Sequence, residues 1–359
     1  MQVDISLLQN AVSCYNIREY PALLNQITEW SRSRPLAGCK VLEATPLFRN
    51  TLVKYIALLS AGAELTAGYG GGIPFDREIL ALVQKCGIAV RENGTETPEQ
   101  AFDLIFDCGG VNANITPRYG TVELTRSGAY HYGNVTFKVF LADAGKVKHI
   151  ETSIGTGDGL VRGLAAAGIT LPLRKGALIF GAGKVGCGIA ANLVAGGTDC
   201  TLVDTAEKLA AVKGNVAKIP FTETERINTA VLNSDIVISA TGRAGALAEY
   251  SGLCKWVESN VIFANMGVED EYGPLVPAER VLNNKEPLNF ILEEPTLLRY
   301  IDPTMALSNA GAIELLQGRV LKCGLNMPPA ELEEKIIEIT HKNGCISAEL
   351  DSWKEFVLL

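Results

Sequence analysis

The residues whose types and spacing could do chemistry are Gly181, Gly183 and Gly186, in the order Gly-Ala-Gly-Lys-Val-Gly, followed downstream by Asp204. An apolar run from Ala177 to Phe180 precedes them, a small-residue stretch reaches Val194, and Thr201-Leu202-Val203 leads into the acid. In a strand, turn, helix, strand unit the first glycine permits the tight turn. The second lets backbone approach a pyrophosphate, and the third lets the helix pack on the strand. Lys184 and Val185 open the helix, whose free N–H groups and dipole then face the phosphates. Asp204 follows at about the 20-residue distance where a carboxylate accepts hydrogen bonds from ribose hydroxyls and repels a 2′-phosphate. The pattern predicts a dinucleotide site that prefers NAD to NADP. The plain alternative is a glycine-rich loop of any globular domain, and the flanking strand, helix and acid weigh against it.

The elements around this unit must position it. A helical pattern over residues 1–35 (Leu7, Leu8, Val12, then Tyr20, Leu23, Leu24, Ile27, Trp30) comes first. A β/α alternation follows: strands at Lys40 to Glu43, Glu64 to Ala67, Ile88 to Val90 and Asp103 to Phe106, with helices from Arg49 to Ala61, after Pro74 and after Pro98. Alternation of this kind implies a mostly parallel sheet covered on both faces. Ligands sit beyond the carboxyl ends of such strands, so Glu43 to Thr45, Gly68 to Gly72 and Asp107 to Gly110 are expected to line a cleft. A strand is expected at Val135 to Leu141, and a connecting helix at Gly155 to Gly168 with a hinge near it.

After Asp204 come a polar stretch to Asn228 and strands at Ile236 to Ser239 and Val261 to Ala264. These end in Thr241-Gly242 and Met266-Gly267, expected to lie over a nicotinamide ribose. A further strand is expected at Leu288 to Leu292, then helices at Ala306 to Leu316 and Ala330 to His341. The fold class is α/β: two Rossmann-like domains with parallel sheets. A cofactor domain, 155–305, is inserted between a substrate domain, 1–154, and its C-terminal helices, 306–359.

Composition narrows the partners. The chain has 359 residues, enough for two domains with their own cores, and 47% of them are hydrophobic. A net charge of −8, with acids and bases interspersed, speaks against a nucleic-acid partner and for a small-molecule substrate. No run reaches the ~18 uninterrupted apolar residues of a membrane span, and Met1 to Asn10 lacks a basic region followed by an apolar one, so a soluble cytoplasmic protein is expected. Nine cysteines are scattered without a CxxC pair, which fits reduced thiols, and three histidines, His131, His149 and His341, offer no metal-ligand spacing.

With these residues in view the chain resembles the S-adenosyl-L-homocysteine hydrolase family over most of its length. The family's GYGxVGxG resembles Gly181 to Gly188, and its YGxxxSxxDGxxRA resembles Ile154 to Ala165, with Gly159 and Arg162 retained. Its DDGG resembles Asp107-Cys108-Gly109-Gly110, its EETTTG resembles Val122 to Gly128, and its TATG resembles Ser239 to Gly242. Its NIGH resembles Asn265 to Val268, and the asparagine of its VNLG, a nicotinamide contact, falls on Asn289. The lysine and aspartate of KxxFDN look like Lys148 and Glu151, and the asparagine becomes Thr152.

The resemblance implies tightly held NAD that oxidises a ribose hydroxyl, thiol elimination, addition of water and return of the hydride, in a homo-oligomer expected to be a dimer. That cycle depends on histidines, and the family's three fall near Pro46, on Val268 and near Glu294. The family's C-terminal tail has no counterpart after Trp353. The leading expectation is therefore an NAD-dependent oxidoreductase on this fold, acting on a small polar alcohol or amine. Lys148 is its base, since a desolvated lysine loses basicity, with His149 as substitute. Glu151 and Glu123 hold substrate hydroxyls, and Asp107 orients the reacting group. For Lys148, within Lys146-Val147-Lys148-His149, a solvated surface charge is the competing reading. A hydrolase or lyase that keeps the internal redox cycle, rebuilt from Glu294, Lys148 and His131, is the runner-up. A non-catalytic NAD-binding protein is the third reading.

Overall fold

The computed structural model describes residues 3–319 and 322–356. Its strands are β1 (Lys40–Glu43), β2 (Glu64–Tyr69), β3 (Ala89–Glu92), β4 (Leu104–Asp107), β5 (Gly120–Glu123), β6 (Lys138–Leu141), β7 (Ala177–Phe180), β8 (Cys200–Asp204), β9 (Ala217–Pro220), β10 (Ile236–Ser239), β11 (Ile262–Asn265), β12 (Val281–Leu282) and β13 (Gly324–Asn326). The central strands β4, β5, β7 and β10 are buried along their whole length, because helices cover both faces of a parallel sheet and leave no solvated side for polar alternation.

The chain forms two compact units. The first runs up to Lys148 and adds Leu298–Ser347; the second is His149–Leu297 with the chain from Ala348. These divisions fall earlier than the expected 154/155 and 305/306. The helix expected from Ala306 begins at Leu298 and runs to Leu316, accommodating Pro303 within it. The last helix, Ser347–Phe356, lies almost wholly in the second unit, where the backbone N–H groups of Lys213 and Gly214 donate to the Phe356 carbonyl at 2.9 and 3.1 Å.

The first unit holds a seven-stranded all-parallel sheet ordered β13-β6-β5-β4-β1-β2-β3, with Leu42 paired to Thr66 on one side and Ile105 on the other. Its core includes Leu52, Tyr55, Leu104, Phe106, Leu307 and Leu315. The second unit holds a six-stranded all-parallel sheet ordered β12-β11-β10-β7-β8-β9, with Ile179 between Leu202 and Ile238. Leu178, Phe180, Val237, Trp256 and Phe263 are in its core. In each sheet the chain winds one way from a central strand and then restarts on that strand's other side. The switch points lie between β1 and β4 and between β7 and β10, and crevices for ligands open at such points.

Three local expectations give way. No helix follows Pro98: Gly94 and Gln100 take positive φ, and Arg91 ties down the carbonyls of Thr95 and Glu96, so residues 93–103 are turns. Leu288–Ile291 is one 3₁₀ turn rather than a strand, entered through left-handed Asn283, Asn284 and Lys285 and then Pro287, and β12 takes the sheet edge instead. The polar stretch after Asp204 contains helices Ala206–Ala211 and Thr224–Leu232 and the edge strand β9, which ends in Pro220 where a missing N–H costs least. The connecting helix is Thr156–Ala166, preceded by the π-helical segment Ile150–Gly155. Among the described residues no helix is long and apolar enough to cross a membrane, and no cluster of three or more His, Cys, Asp or Glu could hold a metal ion.

Candidate functional site

In the second unit the chain leaves β7 at Gly181, whose φ of 107° suits only glycine and where a Cβ would strike the Ala240 carbonyl. A Cβ on Gly186 would strike the Gly181 carbonyl, so this glycine sets the close approach of helix Lys184–Ala195 to the strand. Gly183 differs: it is exposed, and a Cβ there would meet nothing within 4 Å. It is the N-cap residue of that twelve-residue helix, and no side chain caps it. Uncapped first-turn N–H groups beside an open glycine are the donor set a pyrophosphate needs, so the cradle fits a dinucleotide. Lys184 and Val185, half-buried, form the first turn.

Asp204 ends β8 beside this turn. Its Oδ2 accepts from Ala182 N at 2.7 Å and from Lys208 Nζ at 3.2 Å, and its Oδ1 accepts from Thr205 N at 2.7 Å. It lines a cavity of about 300 Å³ together with Thr205, Lys208, Phe221, Thr241 and Tyr250. A carboxylate between aromatic walls, one loop from an open helix start, suits a nucleoside.

The loop after β10 carries Thr241 and Gly242, and it is held by a residue outside every motif. Glu271, fully buried, accepts from Thr241 N at 2.8 Å, from Thr241 Oγ1 at 2.9 Å and from Gly242 N at 2.7 Å. At the end of β11, Asn265 accepts from Ser239 Oγ at 2.8 Å and from Gly267 N at 3.1 Å, and donates to the Gly267, Glu269 and Lys285 carbonyls. Met266 is buried between these loops, its N–H on the Ser239 carbonyl.

Asn289 is buried in the 3₁₀ turn that replaced the expected strand, its amide 3.5 Å from the Pro295 carbonyl. Arg162 of the connecting helix pins the same segment through the carbonyls of Glu294, 3.0 Å, and Pro295, 3.3 Å, while pairing with Asp158 at 2.7 Å. Burial pushes the Glu294 carboxyl up to about 7. Glu151 and Thr152 lie on the π-helical segment, a form often found at functional sites. His149 precedes them; burial and the nearby Lys184 ammonium push its imidazole down to about 4, so it is neutral at pH 7.

In the first unit the carboxyl ends of β4 and β5 are densely braced. Asp107 is fully buried, taking Tyr132 OH at 2.5 Å and Asn112 N at 3.0 Å on Oδ2, and Asn112 Nδ2 at 3.2 Å on Oδ1. Glu123 accepts from Gly109 N at 3.1 Å, Gly110 N at 3.2 Å, and Thr125 N and Oγ1 at 2.7 and 2.6 Å. Burial raises both carboxyls, opposed by these donors. Glu123 therefore shapes the Gly109-Gly110 turn, while Asp107, at the end of β4 beside the switch point, fixes Asn112 and Tyr132. Lys148 is buried, its Nζ donating to the Leu124 carbonyl at 3.2 Å, which removes the reading of a solvated surface charge.

Glu43, expected from sequence to line the cleft, has a partner that the sequence reading missed. Lys54, on helix Thr51–Ser60, is fully buried 2.7 Å from Glu43 Oε1 and 4.2 Å over the Phe106 ring. Burial lowers the ammonium's pKa and Glu43 opposes that. A lysine inside an apolar helical run is the signal that could have found it.

No protein-family model matches the chain. It is 24% identical over 279 residues to the adenosylhomocysteinase of Thermoplasma acidophilum, an alignment covering 70% of this chain and 67% of that protein. The enzymes of the same name from Sulfurisphaera tokodaii (23%; 69% of this chain, 64% of that protein) and Thermoplasma volcanium (26%; 65% and 62%) align similarly. The chain thus spans about two thirds of the length of the curated relatives it matches. Among solved structures, a dipicolinate synthase component from Bacillus halodurans aligns with a TM-score of 0.49 at 11% identity, covering 80% of this chain and 99% of that one. Its Bacillus subtilis counterpart gives 0.47 at 15%, with 86% and 98% covered. Sequence and motif order together make this chain a distant relative of the adenosylhomocysteinases.

Proposed function

We propose that the protein is an NAD-dependent oxidoreductase acting on a small polar alcohol or amine. The observation that carries this reading is the open start of helix Lys184–Ala195: Gly183 faces free space while Gly181 and Gly186 are fixed by packing. First-turn amides at Lys184, Val185 and Gly186 hold the pyrophosphate, and Asp204 takes the ribose hydroxyls. Thr241, Gly242, Met266, Gly267, Asn289 and Thr152 border the nicotinamide end. NAD, when bound, supplies a hydride acceptor. Loss of hydride from an alcohol requires its O–H proton to leave, and Lys148 takes it. The side chain is buried, and the Leu124 carbonyl orients Nζ. Glu151 and Glu123 hold substrate hydroxyls. Asp107 acts one step back, by fixing Tyr132 and Asn112.

Absorbance and mass of the small molecules released on denaturing the purified protein, followed by NADH formation with polyol and amino-alcohol panels, test the reading. The expected outcome is bound NAD and net NADH. Products of elimination or hydrolysis without net NADH would establish the second reading, a hydrolase or lyase with an internal redox cycle. Two observations favour that alternative: the relatives' name, and the Glu294 carboxyl poised near neutrality on a backbone pinned by Arg162. A protein that binds NAD but turns over neither class would be the non-catalytic form.

A further inference from the structure

We propose that Glu271 is the positioning residue of the dinucleotide site, fixing the loop after β10 so that Thr241 presents hydroxyl lone pairs, and not its proton, to a ribose. The inference rests on the dinucleotide reading above and adds to it a residue that no motif contains.

The carboxylate is fully buried and takes three donors from two consecutive residues: both backbone N–H groups, of Thr241 and Gly242, and the Thr241 hydroxyl. A hydroxyl has one proton, and here it is spent on Glu271. The lone pairs that remain make Thr241 an acceptor toward anything else, with Arg243 N already 3.2 Å away. Both amides are likewise spent, so this loop is no anion nest, and phosphates are left to the start of helix Lys184–Ala195. The loop is confined on its other side as well, since Gly181 packs on the Ala240 carbonyl. Thr241 lines the same cavity as Asp204.

The route by which Glu271 arrives explains its neighbours. Asn265 folds the segment after β11 back on itself, and Gly267 must lack a side chain because a Cβ there would strike the Glu271 carboxylate. Leu247 N donates to the Glu271 carbonyl at 2.9 Å, anchoring the residue from its backbone. An acid serving only to stabilise the unit would need no such convergence on a loop that borders the cavity.

The test is the dissociation constant for NAD, by calorimetry, in the unmodified chain, Glu271→Gln, Thr241→Val and the double variant, with melting temperatures alongside. Glu271→Gln keeps the shape but sets an NH₂ against a backbone N–H. It should weaken NAD binding by about tenfold or more at a temperature where the melting curve shows the variant still folded. Thr241→Val should weaken binding too, and in the Glu271→Gln background it should add less than threefold, because both act through one hydroxyl. If Glu271→Gln does not fold, Glu271→Asp retains the charge one methylene short and should show the same affinity loss to a smaller degree. Binding of Glu271→Gln or Glu271→Asp within twofold of the unmodified chain would overturn the inference, as would effects of the two substitutions that multiply. If the unmodified chain binds neither NAD nor NADP, the dinucleotide reading itself fails, and this inference with it.

Discussion

Gly183 and Gly186 stand three positions apart in one motif yet answer to different constraints, and substitution separates them. Gly183 has an ordinary φ of −82° and open space at its Cβ position, so Gly183→Val should fold with little change in melting temperature while NAD affinity falls at least about tenfold by calorimetry. Gly186→Ala drives a methyl into the Gly181 carbonyl and should destabilise the second unit by about 1–3 kcal/mol in urea unfolding. If Asp204 takes the ribose hydroxyls as proposed, Asp204→Ala should narrow the ratio of the NADP and NAD dissociation constants. Equal affinity for both in the unmodified chain would refute the assignment. The positions of these three in one strand, turn, helix, strand unit were legible because the motif fixes their spacing. Glu271 and Lys54 were not, since each meets its partners only after folding: Glu271 lies 30 positions from Thr241, and Lys54 lies 11 from Glu43.

Among the elements, helix Pro21–Ser33 shows how a distant side chain can finish a helix. Its own start offers no cap, and Asp302 supplies one, accepting from Ala22 N at 3.0 Å and Leu23 N at 2.9 Å. Burial nonetheless pushes this carboxyl up to about 7 from an ordinary 3.8, the two N–H donors recovering only part of the cost. A folded-state value above the unfolded one means the native state holds the proton more tightly. The stability so gained is complete below about 3.8 and is lost as pH rises through about 7, at up to about 1.4 kcal/mol per unit. The melting temperature of the first unit should therefore fall between about pH 4 and 7, the span of the shift, and Asp302→Asn should flatten that dependence. Elements with strong apolar patterns, β1, β4, β7 and β10, were legible from sequence. The turns at 93–103 and the 3₁₀ segment Leu288–Ile291 were not, because positive-φ residues such as Gln100 and Asn284 carry no apolar signal.

At the scale of the molecule, the chain builds one unit from two separated pieces and seals the other with its last helix. Phe356 receives two backbone N–H bonds from residues 213 and 214, its ring fills the space Gly214 leaves free, and it stacks on Trp353 at 6.4 Å. Removing the chain from Ala348 onward should lower the melting transition of the second unit and leave that of the first in place, as separate peaks in calorimetry. Neither the position of this helix nor the early crossing at Leu298 was legible. Both depend on which core a helix meets, and α-helical periodicity says only that it must meet one.

The interleaving also sets an order of events on the ribosome. Residues emerge from the N-terminus, so β1 to β6 are complete while helix Leu298–Leu316, with its Asp302 cap, and β13 are still unmade. The nascent first sheet must wait with its β6 edge unpaired, a state exposed to mispairing. The second sheet has all six strands once Leu282 has left the tunnel, and the segment that Arg162 pins and the helix ending at Phe356 are added later. The glycine loop is thus assembled ahead of the first unit's closure, so a nascent chain is in a position to load its dinucleotide before the other half of the protein is finished.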